Sequence, residues 1–327
     1  MKRVIIMSLA LIMVISAIAW AADAVGAFAA SKSGVGARAL AMGGAFVAIA
    51  NNATAMHWNP AGLAQVNDTR LTGMTTDLSG SGWITHNVLA ATTMFSDIGI
   101  GLGWDSVNIS YADSDWPVGK EAVTWDESVV IGSVAMGITE SVFAGVNVKY
   151  YMATDNNAQS AKGFGFDLGL LFDLGEMFSF GINAADIGGS TITWDDNKEE
   201  TVTALYKFGG ALKLLDGNVI VTADVDFVGN NFKMGDIHFG TEVQIIEEFA
   251  LRAGVLVPAS LHDDSAQDFC FSVGAGVSVA GLYVDVAYLL QDLGSSVGGN
   301  TLFLSAEFSF GDLLGGGEGG ESLSYGF

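Results

Sequence analysis

The feature that most limits what this chain can become is a two-residue alternation of apolar with small or polar side chains, sustained in long segments from about residue 68 to residue 310. Successive side chains of a strand point to opposite faces, so a period of two marks β-strands with two unlike faces. Val219, Val221, Ala223, Val225 and Phe227 alternate with Ile220, Thr222, Asp224, Asp226 and Val228. Leu302, Leu304, Ala306, Phe308 and Phe310 alternate with Phe303, Ser305, Glu307 and Ser309, and the same rhythm runs through 142–150 and 269–279. Fourteen segments begin near residues 68, 82, 98, 126, 141, 162, 177, 199, 218, 233, 249, 267, 282 and 299. Most run ten residues or more, against about 5–6 in globular proteins, and about 9–11 tilted residues cross a bilayer.

Alternation alone does not decide which side faces water, because a soluble sandwich also carries one apolar face. Connection length does help. Tight links at Ser96-Asp97, Thr139-Glu140, Gly175-Glu176, Asp216-Gly217-Asn218, Glu247-Glu248 and Ala280-Gly281 alternate with longer polar ones at 112–122, 154–162, 191–200, 228–236, 258–267 and 291–300. Short turns on one side and long loops on the other belong to outer-membrane barrels, and only a closed sheet leaves no unpaired edge in hydrocarbon. The expected fold is all-β: a 14-stranded antiparallel transmembrane β-barrel with a short N-terminal helical hatch in the lumen. Trp104, Trp116, Trp125 and Trp194 fall near long-loop ends, where rings would sit at the membrane surface.

Composition agrees. The 327 residues are 50% hydrophobic and only 15% charged, against about 25% charged in soluble domains. With 43 Gly but 3 Pro the chain is not collagen-like, and its apolar content excludes disorder. A net charge of −23 argues against nucleic acid as a partner. After Ala22 there is no run of about 18 apolar residues, so a membrane-spanning helix is not expected.

Residues 1–21 read as a signal peptide: Lys2 and Arg3, an apolar run, then Ala19-Trp20-Ala21 for cleavage. Residues 22–67 form the expected hatch or plug, because Gly36 to Ala50 lacks both alternation and a polar face and reads as a small-residue helix buried all round. Asn51 or Asn52 could cap the next turn, which Pro60 ends. Inward Gly145, Gly165, Gly169, Gly240, Gly254, Gly274 and Gly276 would leave it room. The barrel then spans 68–310 and a Gly-rich tail 311–327, with Phe308, Phe310 and Phe327 competing as the terminal aromatic read during insertion.

The run Gly36-Ala37-Arg38-Ala39-Leu40-Ala41-Met42-Gly43-Gly44-Ala45, followed by Trp58-Asn59-Pro60-Ala61-Gly62-Leu63-Ala64, resembles the N-terminal signature of the PorV/PorQ family and the related FadL-type fatty-acid transporters. His57 stands where an aromatic is usual, and Asn51-Asn52 where acidic residues are common. The resemblance implies passage of small hydrophobic solutes across the outer membrane. For the secretion branch it implies instead an accessory that receives secreted protein cargo for the type IX machinery. Its hatch motif falls on Gly43, Gly44, Trp58, Asn59, Pro60, Ala61 and Gly62.

Enzymatic chemistry is not expected. His57, His86, His238 and His262 lack metal-ligand spacing, the single Cys270 permits no intramolecular disulfide, and the glycines of 163–169 are not followed by a phosphate-loop lysine, so neither metal nor cofactor is expected. His238, in phase with Glu242 and Gln244, reads as a hydrated lumen residue. Asp113 with Asp115, Asp195 with Asp196 and Asp263 with Asp264 are solvated loop pairs that a divalent cation could bridge to lipopolysaccharide. Strand phase points Lys149, Asp167, Asp224, Asp226, Glu242, Arg252, Asp285 and Glu307 inward, where they favour cations in a wet bore or bond the hatch in a filled one. Asn59 can both donate and accept, and reads as an anchor of the plug; Phe46, Met56 and Trp58 read as packing of hatch on wall.

Overall fold

The structure is a computed structural model that describes residue 28 and residues 33–79, 82–111, 123–175, 177–259, 269–290 and 300–313. The expected signal peptide 1–21, the tail beyond Leu313, Trp116, His262 and the pairs Asp113/Asp115 and Asp263/Asp264 lie outside these residues. Two short helices open the described chain, α1 (Ala37–Ala41) and α2 (Ala55–Trp58), followed by a 3-10 turn at Pro60–Gln65. Strands then succeed one another: β1 (Arg70–Asp77), β2 (Ile84–Phe95), β3 (Ile98–Tyr111), β4 (Val123–Thr139), β5 (Val142–Thr154), β6 (Ser160–Asp173) and β7 (Phe178–Ala185). A hairpin of β8 (Ser190–Trp194) and β9 (Glu199–Val202) interrupts the series. It resumes with β10 (Leu205–Leu214), β11 (Val219–Val228), β12 (Lys233–Ile246), β13 (Phe249–Val257), β14 (Cys270–Val279), β15 (Leu282–Leu290) and β16 (Thr301–Ser309), before a last turn of helix, α3 (Phe310–Leu313).

Fourteen of the strands form one closed antiparallel barrel. Each pairs with its neighbour in sequence, β7 pairs with β10, and the ring closes between β1 and β16, from Arg70 opposite Ser309 to Thr76 opposite Phe303. No edge remains in the ring. The tight links carry the backbone such turns need: Ala280 and Gly281, with φ of 48° and 79°, connect β14 to β15 as a two-residue hairpin whose twist matches its strands.

The eighth segment does not begin near 199. Residues 191–200, read from sequence as a polar loop, fold largely into β8 and β9, which lie on β6 beyond the end of β7 through Ala161–Gly163 opposite Trp194–Ile192. The barrel strand itself starts at Leu205.

Burial is inverted relative to a soluble protein. On β16, Leu302 and Leu304 are 57% and 50% exposed, whereas Ser305 and Glu307, in the opposite phase, are 5% and 7% exposed. On β5, Val146 and Val148 are exposed around a buried Asn147, and on β6 Phe164, Phe166 and Leu168 are exposed around a buried Asp167. Apolar patches of this extent are not stable against water, so the outer face suits hydrocarbon. The ten residues of β14, tilted as barrel strands are, give an apolar band about 25 Å tall. Two stacked open sheets would bury these residues, and the described strands form none. Among the described residues no helix is long and apolar enough to cross a membrane.

Candidate functional site

Residues 33–66 fill the bore. Their chain contacts the inner faces of strands all round the ring, from β3 to β7 and from β10 to β16. The helix expected over Gly36–Ala50 is shorter than the composition suggests. It ends at Ala41 because Gly43 and Gly44 take φ of 67° and 79°, a left-handed conformation that closes helices and suits glycine. Gly43 also lies directly on the wall, where an added Cβ would sit 2.8 Å from the carbonyl oxygen of Phe239 and the amide of Val255.

A buried irregular segment must satisfy its backbone without a ladder, and here the inward wall side chains do it. The Asp224 Oδ2 accepts from the amides of Phe46 at 2.8 Å and Val47 at 2.9 Å. Thr222 donates to the carbonyl of Ala45 (2.8 Å), and Ser272 donates to that of Ala41 (2.9 Å) while accepting from the amide of Gly43 (3.0 Å). Ser305 and Glu307 accept from the amides of Ala37 and Ala53, and Asn147 donates to the carbonyl of Met56 (2.7 Å). Asn59 is fully buried; its Nδ2 donates to the carbonyls of Val47 (3.0 Å) and Leu170 (2.9 Å), and its Oδ1 accepts from the amide of Ala61 (3.2 Å). Pro60 opens the 3-10 turn, packed on Gly145 and Gly169, and Gly62 abuts the Ala50 carbonyl so closely that a Cβ has no room. Trp58 donates from Nε1 to the carbonyl of Val35 (2.8 Å), and its ring packs on Phe46. Asn51 accepts from Arg38, and Asn52 accepts from the amide and hydroxyl of Thr54 just ahead of α2.

The inward charges are paired with one another or with the plug. Arg38 of the plug makes a two-pronged bond to Glu242 (both 2.8 Å), which also takes Arg252, and Arg252 reaches Asp285 at 2.7 Å. Lys149 bridges Asp167 (2.9 Å) and Asp186 (3.2 Å). Asp226 holds Lys207 at 2.7 Å, and Glu307 takes Arg70 at 3.0 Å and the hydroxyl of Thr72. Sequence reading missed Arg38, Arg70, Lys207 and Asp186 as members of this ring. Lys207 was findable, since it stands between the apolar-phase residues Tyr206 and Phe208.

His238 is not a hydrated lumen residue. It is 5% exposed and wedged between the carbonyl of Gly43 (2.6 Å from Nδ1) and Asp226. His86 is likewise enclosed, with Nε2 2.8 Å from Asp105 and Nδ1 3.2 Å from the Ser33 hydroxyl. Burial pulls the His57 imidazole down to about 4 against the attraction of Asp105, 3.9 Å away, so this plug ring is neutral at neutral pH. Trp125 and Trp194 do not face the membrane surface; they turn inward and pack on each other at 5.4 Å, while Trp104 is exposed on the outer wall. Among the described residues no three His, Cys, Asp or Glu side chains are grouped to hold a metal ion.

These features define a plugged β-barrel with a lipid-compatible exterior. Solved structures of similar fold include the toluene transporter TbuX of Ralstonia pickettii (TM-score 0.62, 14% identity, 85% of this chain and 98% of that one), and the P. putida toluene transporter TodX (0.61, 13%, 85% and 99%). A Pseudomonas aeruginosa FadL homologue aligns over 81% of this chain and 96% of its own (0.53, 13%). At these identities the likeness is one of fold. No family model matches the sequence, and no curated protein matches it.

Proposed function

We propose that the chain is an outer-membrane barrel of the FadL-like type that passes small hydrophobic solutes across the outer membrane without covalent chemistry, with residues 22–67 as its hatch. The observation that carries this reading is the inversion of the wall around a filled bore: apolar side chains outward, charges inward and tied to the plug. A bore stoppered by backbone-directed hydrogen bonds is built for controlled passage rather than for open diffusion. The fold neighbours, two of them toluene transporters, support a hydrophobic solute. The hatch motif Gly43, Gly44, Trp58, Asn59, Pro60, Ala61 and Gly62 is the segment whose contacts must part. On this reading lipid covers the outer wall, and the acidic loops meet lipopolysaccharide through divalent cations. Kinship to the PorV/PorQ family rests on the motif of about thirty residues, and among the described residues nothing in the bore favours the secretion role.

Two measurements test the proposal. The protein should fractionate with outer membranes and run faster on gels before heating than after, and a deletion strain should lose uptake of labelled toluene. Normal uptake together with missing surface proteins would transfer the function to secretion; solubility without detergent would overturn the membrane reading altogether.

A further inference from the structure

At the long-connection end of the bore the inner face of the wall turns apolar. Trp125 of β4, Tyr151 and Ala153 of β5, Ile192 and Trp194 of β8 and Val202 of β9 form this end of an apolar cluster that continues into the plug, all but Trp125 fully within it. The cluster exists because the β8–β9 hairpin prolongs the wall beside β6 where β7 has ended.

Two observations mark it as a ligand chamber. First, the chain sends one further aromatic ring into it from a segment far away in sequence. Phe28 is 2% exposed and meets Tyr151 edge-on at 4.8 Å, with a φ of 59° that a phenylalanine rarely adopts. Second, the Trp194 indole nitrogen is buried with no hydrogen-bond partner among the described residues, whereas that of its neighbour Trp125 donates to Glu127 at 3.0 Å. An indole N–H can only donate, so the group that completes it must accept.

We propose that this chamber binds a one-ring aromatic solute bearing an acceptor oxygen, an aryl ether or ketone, with the ring among the aromatic side chains of the cluster and the oxygen on Trp194. The role of such binding rests on the transport reading above; the binding itself does not. It narrows the solute from hydrocarbon in general to oxygenated aromatics. The chemistry is set by the donor left over.

The test uses two probes that differ only in an ether oxygen against a methylene, 4-fluoroanisole and 4-fluoroethylbenzene, titrated by fluorine NMR into the full chain in lipid nanodiscs. The expected result is binding of the ether about tenfold tighter, the factor that one hydrogen bond to a buried donor contributes. Trp194→Phe should equalise the two while retaining binding. Phe28→Ala should tighten both and keep their ratio, and heat-dependent gel mobility verifies that each variant is folded. Equal affinities in the unaltered protein, a ratio that survives Trp194→Phe, or no binding of either probe by folded Phe28→Ala would each overturn the proposal. Toluene uptake is measured in the same strains: uptake without selective binding defeats the chamber alone, and selective binding without uptake defeats the transport function alone.

Discussion

Replacing Asn59 by alanine should loosen the plug and leave the barrel closed. The substitution strands three buried groups, the carbonyls of Val47 and Leu170 and the amide of Ala61. Each group left without a partner costs about 1–3 kcal/mol. Only the Leu170 bond joins plug to wall, however, since the other two lie within the plug. The equilibrium between seated and displaced plug should therefore shift by about 1–3 kcal/mol, a factor of roughly 5 to 150 in the displaced population. Asn59→Asp is the sharper control. It keeps an acceptor for Ala61 but offers two carbonyls a carboxylate and no donor, so it should be at least as loose. Hydrogen exchange at the Phe46 and Val47 amides, which Asp224 holds, reads the seating directly, and sensitivity to an antibiotic normally excluded by the outer membrane reads its consequence. Both should rise while gel mobility before heating is unchanged. If exchange and sensitivity match the unaltered protein in both variants, the remaining bonds suffice and Asn59 is not the anchor.

Glu242→Gln removes the carboxylate shared by two buried guanidinium groups, and breaking a buried ion pair costs about 3–5 kcal/mol, so the temperature at which the folded form is lost on gels should fall markedly. Gly254→Ala drives a methyl into the backbone of Met42 and Gly43 and should impair assembly by about 1–3 kcal/mol or more, whereas Gly132→Ala, which meets nothing within 4 Å, should be neutral in the same assay. The neutral His57 ring makes stability depend on pH with a definite sign. Between 6.5 and about 4 the unfolded chain binds a proton that the folded chain refuses, so stability is full above 6.5 and declines as pH falls toward 4. The loss approaches about 3 kcal/mol, and His57→Phe should flatten denaturation curves across that window; an unaltered slope would assign it to other groups.

The barrel was legible because its signal is long and repeated. β11 and β16 show nine- or ten-residue alternation that nothing but a two-faced strand explains. The β8–β9 hairpin was not, since strands of five and four residues around Asp195-Asp196-Asn197 are too short to display a period and read as a polar loop. That one error displaced the following strand start to 199 and hid Lys207. It also misplaced Trp125 and Trp194, because the wall beside them rises higher than the loop count implied. In the site, Asn59 was legible through its dual hydrogen-bonding capacity, but its partner was not, because the carbonyl of Leu170 is a backbone group that no side-chain pattern announces. Arg38 carried a usable signal: a lone charge among small apolar residues requires a buried partner, and Glu242, in phase on the inner face of β12, is one.

Plug and wall constrain each other at the level of single methyl groups. Wall glycines receive plug atoms so closely that a Cβ would collide: Gly99 and Gly101 take Leu63, Gly103 takes Met56, Gly145 and Gly169 take Pro60, Gly181 takes Val47, Gly240 and Gly254 take Met42 and Gly43, and Gly274 takes Ala41. Glycine inside a strand weakens it by roughly 0.5–1 kcal/mol relative to alanine, so the wall carries a standing cost that is offset only while the plug is seated and its buried groups are paired. Contact at backbone distance around the ring also leaves little open section beside the plug. On the transport reading proposed above, a solute that crosses must part some of these contacts, and the energy needed is that of the few wall-to-plug hydrogen bonds it breaks. For this reason the balance of Asn59, Asp224 and the Arg38–Glu242 pair, rather than the width of the barrel, should set the rate of passage.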